Sequence, residues 1–400
     1  MRAILPFLVV LLVVAFFTRV DSFFYLLYTL CGIYILGRIW AKRSLSAVLL
    51  HRQHDAHIFL GETVPVQVEV RNQGWLPVLW LRVQDTVPAN LGSGSHFRQV
   101  ISLLPRERRH LSYTLAGKRR GYYPIGPLVT LGGDLLGSVA YENHHEGDDY
   151  LIVYPKIVAL SNLGFPSYSP FGTLPSRERL FEDPTRIQGV RDYQPGDSLR
   201  RMDWKTSARV GSLQVRRYEP AIALETALFL NLNGADYPQA HRADSTELGI
   251  VVAASIAAYL VEKRQAVGLV TNGRDPWTRL GDPRPPELSL PLHKGRAHLM
   301  QLLDLLACIE VAAGEEAVPF PDLLSRKSLG LPYGSTVVVI TAREIEGLME
   351  LLLTLRRRGL LVVLVLTCPE RGFELTAQRA AQVGIQAFRV WSERDLDIWR

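Results

Sequence analysis

Two apolar runs open the chain, Ala3–Phe17 and Phe23–Ile39, separated only by Thr18-Arg19-Val20-Asp21. Each falls slightly short of the roughly 20 residues that cross a bilayer, and each can borrow flanking residues. The spacing predicts a tight transmembrane hairpin over residues 1–44. Arg2 precedes the first run, and Arg38, Lys42 and Arg43 follow the second, while Arg19 in the turn is balanced by Asp21. Positive charge at the outer ends places both termini, and all that follows, in the cytoplasm. A cleaved signal peptide fits less well. No small-x-small site follows the first run, a second run comes at once, and Leu30 is too large for a lipoprotein box before Cys31.

Residues 45–155 read as an all-β module. Val64–Val70 and Leu79–Asp85 alternate apolar and polar with period two, and Gln99–Leu103, Arg109–Leu115, Leu128–Leu131 and Leu151–Tyr154 are further strands. Turn signals at Gly61, Asn72–Gly74, Gly92–Gly94, Pro105–Glu107 and Gly132–Asp134 suggest a sandwich of immunoglobulin type. Residues 156–185 form a linker rich in Pro, Ser and Gly, in which Pro166, Pro170 and Pro175 forbid a long helix. Beyond it the periodicity switches. Strands at Thr226–Leu232, Ala266–Thr271, Ser335–Thr341, Leu360–Thr367 and Gln386–Val390 alternate with helices at Ser245–Arg264, Gly295–Cys308, Glu344–Arg358 and Glu374–Val383. That alternation predicts a doubly wound α/β domain within 186–400.

Between linker and α/β pattern lies Arg186–Glu219, dense in charge, rings and turn residues. Pro195-Gly196-Asp197 is a turn signal, and Asp197 is placed to cap a short helix from Ser198. Arg191, Asp192, Tyr193, Arg200, Asp203, Trp204, Lys205, Arg209, Tyr218 and Glu219 have the composition of a buried or half-buried ionic network around large rings. Asp203, Trp204, Lys205 and Arg209 are expected to fasten this segment to the α/β domain. The runs Arg191–Asp197, Arg200–Lys205, Ser207–Arg209 and Tyr218-Glu219 together resemble the signature of the domain-of-unknown-function 58 proteins. Lys118–Pro127 and Asp134-Leu135-Leu136-Gly137 resemble elements just before that signature, with the family's Asp-Pro-Phe-Gly altered to Asp-Leu-Leu-Gly. The resemblance implies a membrane-anchored protein whose C-terminal half is similar to a von Willebrand factor type A domain. It further implies association with MoxR-type AAA ATPases and with membrane transglutaminase-like proteins, the ATPase being the candidate partner.

In type A domains a divalent metal sits at the carboxyl edge of the sheet, on an Asp-x-Ser-x-Ser loop with a Thr and an Asp from later loops. Here Asn231 stands for the Asp, Asn233 for the first Ser and Ala235 for the second, and Ala342-Arg343-Glu344 fills the later loop. Hard cations need charged oxygens, so the expectation is a scaffold without the metal and without a cofactor; Asp236 and Glu344 are the residues that would have to improvise a site. No Walker A, GxSxG or HExxH motif is present. His144-His145-Glu146 reads as a hydrated turn. Cys31, Cys308 and Cys368 form no CxxC, which argues against a disulfide framework or a zinc site. The net charge of +6 over 400 residues suits a protein near an anionic membrane rather than a nucleic-acid binder, and Lys118–Arg120 reads as a solvated or lipid-facing turn. The leading reading is a scaffold or protein-interaction module; the alternative is a hydrolase using Asp192, Asp197 and Asp203.

Overall fold

The computed structural model describes residues 4–18, 20–92, 96–134, 140–145, 147, 149–160, 182–195, 197–220, 225–276, 288–314, 317–368 and 372–399. They fall into two compact units, Met1–Lys156 with Leu303–Cys308, and Ile157–Leu302 with Ile309–Arg400. Arg2, Arg19, the segment Leu135-Leu136-Gly137 and most of the expected linker lie outside the described residues.

The first unit begins with helices α1 (Ile4–Thr18) and α2 (Asp21–Ser46), which lie against each other. By length and composition α2 can cross a membrane. It runs on past Lys42 and Arg43, and its last turns bury Ala41, Ser44 and Leu45. The β-rich part follows: β1 (Val48–Gln53), β2 (His57–Phe59), β3 (Thr63–Asn72), β4 (Val78–Thr86), β5 (His96–Leu103), β6 (Arg108–Ala116), β7 (Gly121–Pro124), β8 (Leu128–Gly133), β9 (Ala140–His145) and β10 (Tyr150–Tyr154). They form sheets ordered β1-β3-β6, β2-β10-β7 and β5-β4-β8-β9. Val64, Val66, Val68 and Val70 on one face of β3 share a core with Leu81 and Val83 of β4, as their alternation requires. Each such side chain contributes roughly 1.5–3 kcal/mol by leaving water. His144 and His145 are not in a turn, as expected from sequence; they belong to β9, opposite Val129 and Leu128. Backbone pairing along β8 overrides the polar composition there.

The second unit contains β11 (Glu182–Asp192), α3 (Trp204–Val210) and β12 (Gln214–Pro220), and then the α/β part. The latter comprises β13 (Glu225–Leu230), α4 (Arg242–Glu262), β14 (Ala266–Thr271), β15 (Leu288–His293), α5 (Arg296–Cys308, counted with the first unit from Leu303 on), α6 (Phe320–Ser328), β16 (Thr336–Thr341), α7 (Leu348–Arg357), β17 (Leu361–Leu366), α8 (Phe373–Gln382) and β18 (Gln386–Arg389). The sheet order is β15-β14-β13-β16-β17-β18, parallel except for β15. Ala227 and Phe229 of β13 face a core with α6 and α7, whereas Leu230 faces Gly249 of α4. Helices therefore cover both faces, which is why β13, β16 and β17 read as continuous apolar runs. α4 is also apolar enough to cross a membrane, but it is mostly buried in this domain. α7 starts at Leu348 rather than Glu344, because Gly347 adopts a left-handed φ of 75° that breaks the helix before it. The start of the expected linker is packed rather than loose: Val158 is buried and its N–H donates to Ser255 Oγ of α4 at 2.9 Å.

Candidate functional site

The signature segment folds as a closed hairpin. β11 and β12 pair antiparallel, with Asp192 opposite Gln214 and Arg191 opposite Val215. Tyr193 N–H continues the pairing to Leu213 O at 2.9 Å. The connection then makes three short structures in turn. Asp197 closes the first: its N–H donates to Gln194 O at 3.0 Å. Its carboxylate accepts Gln194 N–H at 2.9 Å and both terminal nitrogens of Arg191 at 2.7 and 2.6 Å. A single 3-10 turn, Leu199–Arg201, brings Met202 into a buried bridge with Val215. α3 follows, capped by Asp203 and ended by Gly211 at φ 78°.

Asp203 carries two loads. One carboxylate oxygen accepts Thr206 N–H at 3.0 Å, and the other accepts Arg216 Nε of β12 at 3.2 Å. Ser207 Oγ donates to Asp203 O and accepts Gln214 N–H, both at 2.8 Å, and Gln214 Nε2 donates to Asp192 Oδ1 at 2.5 Å. The Arg191 guanidinium, with Gln194 N–H, holds the Asp197 carboxyl below its ordinary value. Thr206 N–H, and then Arg216, do the same for Asp203.

Several sequence expectations change here. Asp197 does not cap the turn at Ser198; it binds Arg191 and Gln194, and the helix cap is Asp203. Asp203 pairs with Arg216, which the returning strand brings to the start of α3, while Arg209 is exposed on its last turn. Trp204 is not a buried ring of the network: it is 65% exposed, and Lys205 and Arg209 of the same helix are exposed too. Leu199, Val210 and Leu213 of the same connection are exposed as well. Gly196 lies outside the described residues, as do the side chains of Arg200, Tyr218 and Glu219. Ser207 serves through its hydroxyl, and Gln214 and Arg216 complete the module. The only signal for them in the sequence is their place in the strand that must return.

A second cluster lies at the carboxyl edge of β13. Asn231 is fully buried, and its amide is saturated. Nδ2 donates to Asp236 Oδ2 at 2.8 Å and to Thr341 Oγ1 at 3.1 Å, while Oδ1 accepts Asn233 N–H at 3.0 Å and Asn272 Nδ2 at 3.1 Å. Asn233 Oδ1 accepts Ala235 N–H at 3.1 Å, which shapes the short turn Gly234–Asp236. Asn272 also accepts Leu232 N–H at 2.7 Å and donates to Val318 O at 3.0 Å. Asn231 thus meets Asp236 and Thr341 with a neutral amide donor that brings no charge to the cluster. Glu344 does not join this cluster; it accepts Thr376 Oγ1 at 2.7 Å and lies 3.6 Å from Arg379.

Fold and site define a two-unit protein with an N-terminal apolar helix, a β-rich module, a charged hairpin and an α/β domain. The chain belongs to the family described as proteins of unknown function DUF58, whose model matches residues 189–396. It is 25% identical over 328 residues to the uncharacterized protein YeaD of Bacillus subtilis (strain 168), covering 80% of this chain and 75% of that one. Among solved structures it is similar to the CARDB domain of the PF1109 protein from Pyrococcus furiosus, in complex with di-metal ions. That match is 17% identical and covers 26% of this chain and 91% of the other, at a TM-score of 0.20. Native alpha-2-macroglobulin from Escherichia coli, from domain MG7 to the C-terminus, is 19% identical over 36% of this chain and 22% of its own, at a TM-score of 0.24.

Proposed function

We propose that the protein is a membrane-anchored scaffold that presents the β11–β12 hairpin to a protein partner. In this reading α1 and α2 form a two-pass hairpin, and the basic end of α2 at Arg38, Lys42 and Arg43 keeps the β-rich and α/β parts in the cytoplasm. The α/β part is a von Willebrand type A-like scaffold whose metal edge has been rewired with amides. The partner is a protein, with the MoxR-type AAA ATPase implied by the family resemblance as the candidate and cell-envelope or stress physiology as the setting.

The observation that carries this reading is Trp204 held out into water on a module locked by Arg191–Asp197 and Arg216–Asp203. An exposed Trp on a short helix that also exposes Lys205 and Arg209, on a backbone that is already ordered, is the composition of a binding hot spot with little ordering entropy left to lose. The hydrolase alternative draws no support from the carboxylates. Asp192, Asp197 and Asp203 each hold a different partner, and the last two are shifted away from general-acid use.

The test is binding of the full chain, in detergent, to a purified MoxR-type ATPase. Trp204→Ala should weaken it by more than about tenfold, without changing the melting curve. Equal binding by parent and variant would remove the hairpin from the interface. A reporter active only outside the membrane, fused after Arg400, should stay silent; a strong signal would reverse the topology.

A further inference from the structure

The strand registers place a set of loops at one end of the β-rich unit. Val48 pairs with Asn72, Arg71 with Arg108, Val78 with Leu103 and Gly133 with Ala140. The turns after β3 and β5 and the last residues of β8 therefore share the end at which β1 begins. The opposite end carries the pairs Thr63 with Ala116 and Leu128 with His145.

α2 arrives at the first of these ends. Leu45 fills the space over Gly132, 2.5 Å from where a Cβ would stand, and Gly37 lies beside Asp134. Trp40 Nε1 donates to Pro77 O at 3.1 Å, and Gln73 N–H donates to Ala47 O at 2.9 Å. The loop 73–77 is thus level with the last turns of the helix, only a few residues past its apolar stretch.

Two large apolar side chains stand out from this end, Trp75 at 76% and Leu104 at 67% exposure. Their loops are clamped. Buried Asn72 donates through Nδ2 to Leu76 O at 2.8 Å and to Leu104 O at 3.1 Å, and Arg106 N–H donates to Gly74 O at 3.3 Å. Around them lie exposed Lys42, Arg43, Arg71, Arg106, Arg108 and Arg109. The acidic groups nearby are engaged: Glu107 accepts Leu104 N–H and Arg109 Nε, Glu69 lies 3.8 Å from Arg108, and Asp134 is buried.

We propose that this end of the β-rich unit is a membrane-contact face. Trp75 and Leu104 enter the headgroup layer of the bilayer that α2 crosses, and the surrounding arginines meet anionic lipid headgroups. Trp suits that layer because its ring is apolar and its N–H stays wet, and juxtamembrane basic residues are drawn to anionic lipid. The face fixes how the soluble part stands on the membrane, beyond the tether that the helix supplies. The proposal rests on the anchored reading of α2.

The experiment uses the full chain in phosphatidylcholine vesicles with and without phosphatidylglycerol. A photo-crosslinking phenylalanine analogue replaces, one at a time, Leu26 in α2, Trp75, Leu104, and Thr63 at the far end, about 26 Å from Arg71 along β3. Lipid adducts are counted by mass. Adducts at Leu26, Trp75 and Leu104, on the order of tenfold above Thr63, are expected from a headgroup layer only a few ångströms deep. Arg106→Glu with Arg108→Glu should cut the Leu104 adduct several-fold in vesicles containing phosphatidylglycerol. Adducts at Leu26 with none above the Thr63 level at Trp75 and Leu104 overturn the face and leave the anchor standing. No adduct at Leu26 overturns the anchor, and the face with it.

Discussion

The carboxylate of Asp203 caps α3 through Thr206 N–H and reaches Arg216 on the returning strand at 3.2 Å, so one side chain joins helix to hairpin. Both partners are partly open to solvent. Asp203→Ala should therefore act locally: the loop 193–213 should be cut several-fold faster by protease, with the global melting curve nearly unchanged. Asp203→Asn keeps a capping oxygen and should fall between parent and Asp203→Ala. Arg209→Ala should match the parent. Global unfolding by Asp203→Ala would show the pair to be part of the core.

Acid should open the hairpin only at low pH. Asp197 and Asp203 titrate below the ordinary carboxyl value of 3.8 in the folded chain. Their contribution is complete above that value and is lost as pH falls through the depressed ones. Asp85 runs the other way, since burial pushes it up against the pull of Tyr113 and Arg52. Its folded form holds a proton more tightly than the unfolded chain, so its contribution declines as pH rises from 3.8 through the raised value. Amide exchange should show Thr206 and Gln194 protected at neutral pH and released only below the ordinary carboxyl range. Release already well above 3.8 would contradict the depressed values.

Asn231→Asp tests the amide cluster. It replaces the donor to Asp236 and Thr341 with an acceptor and sets two carboxyl groups against each other in a buried site. Loss of these bonds should destabilise by about 1–3 kcal/mol at neutral pH, and added Mn²⁺ should restore part of it. Calorimetry on the parent should show no stoichiometric Mg²⁺ or Mn²⁺ binding at about micromolar affinity. A clear isotherm for the parent, or no Mn²⁺ effect on the variant, would overturn this account.

Arg52 is the centre of the buried charge of the β-rich unit. Its Nη2 and Nε reach Asp85 at 2.7 and 3.1 Å, its Nη1 reaches Asp149 at 2.6 Å and Ile125 O at 3.1 Å, and Tyr113 OH donates to Asp85 at 2.5 Å. Arg52→Ala leaves Asp85 buried and unpaired, which costs roughly 3–5 kcal/mol in denaturant unfolding. Arg52→Leu combined with Asp85→Leu should recover much of that, because desolvation weighs on both ions of a buried pair. A single variant as stable as the parent would mean that the site admits water.

Period and apolar length were legible without coordinates. The alternation of Val64–Val70 declares a half-buried strand, and the runs around Val339 and Leu364 declare strands covered on both faces. The apolar stretch of α2 declares its length. These are local properties, since a side chain's face follows from its own backbone period. Partner choice was not local. Asp203 could be expected to meet a cation, but that it meets Arg216 rather than Arg209, and that Trp204 faces water, depends on the returning strand. Arg52, Asp85 and Tyr113 lie on β1, β4 and β6 and come together only when the sheets face each other. The loop carrying Trp75 meets α2 by the same means. Sequence determined which surfaces had to be buried; the tertiary structure decided which charges met, because ion pairing is set by distance through space and many pairings fit one charge pattern.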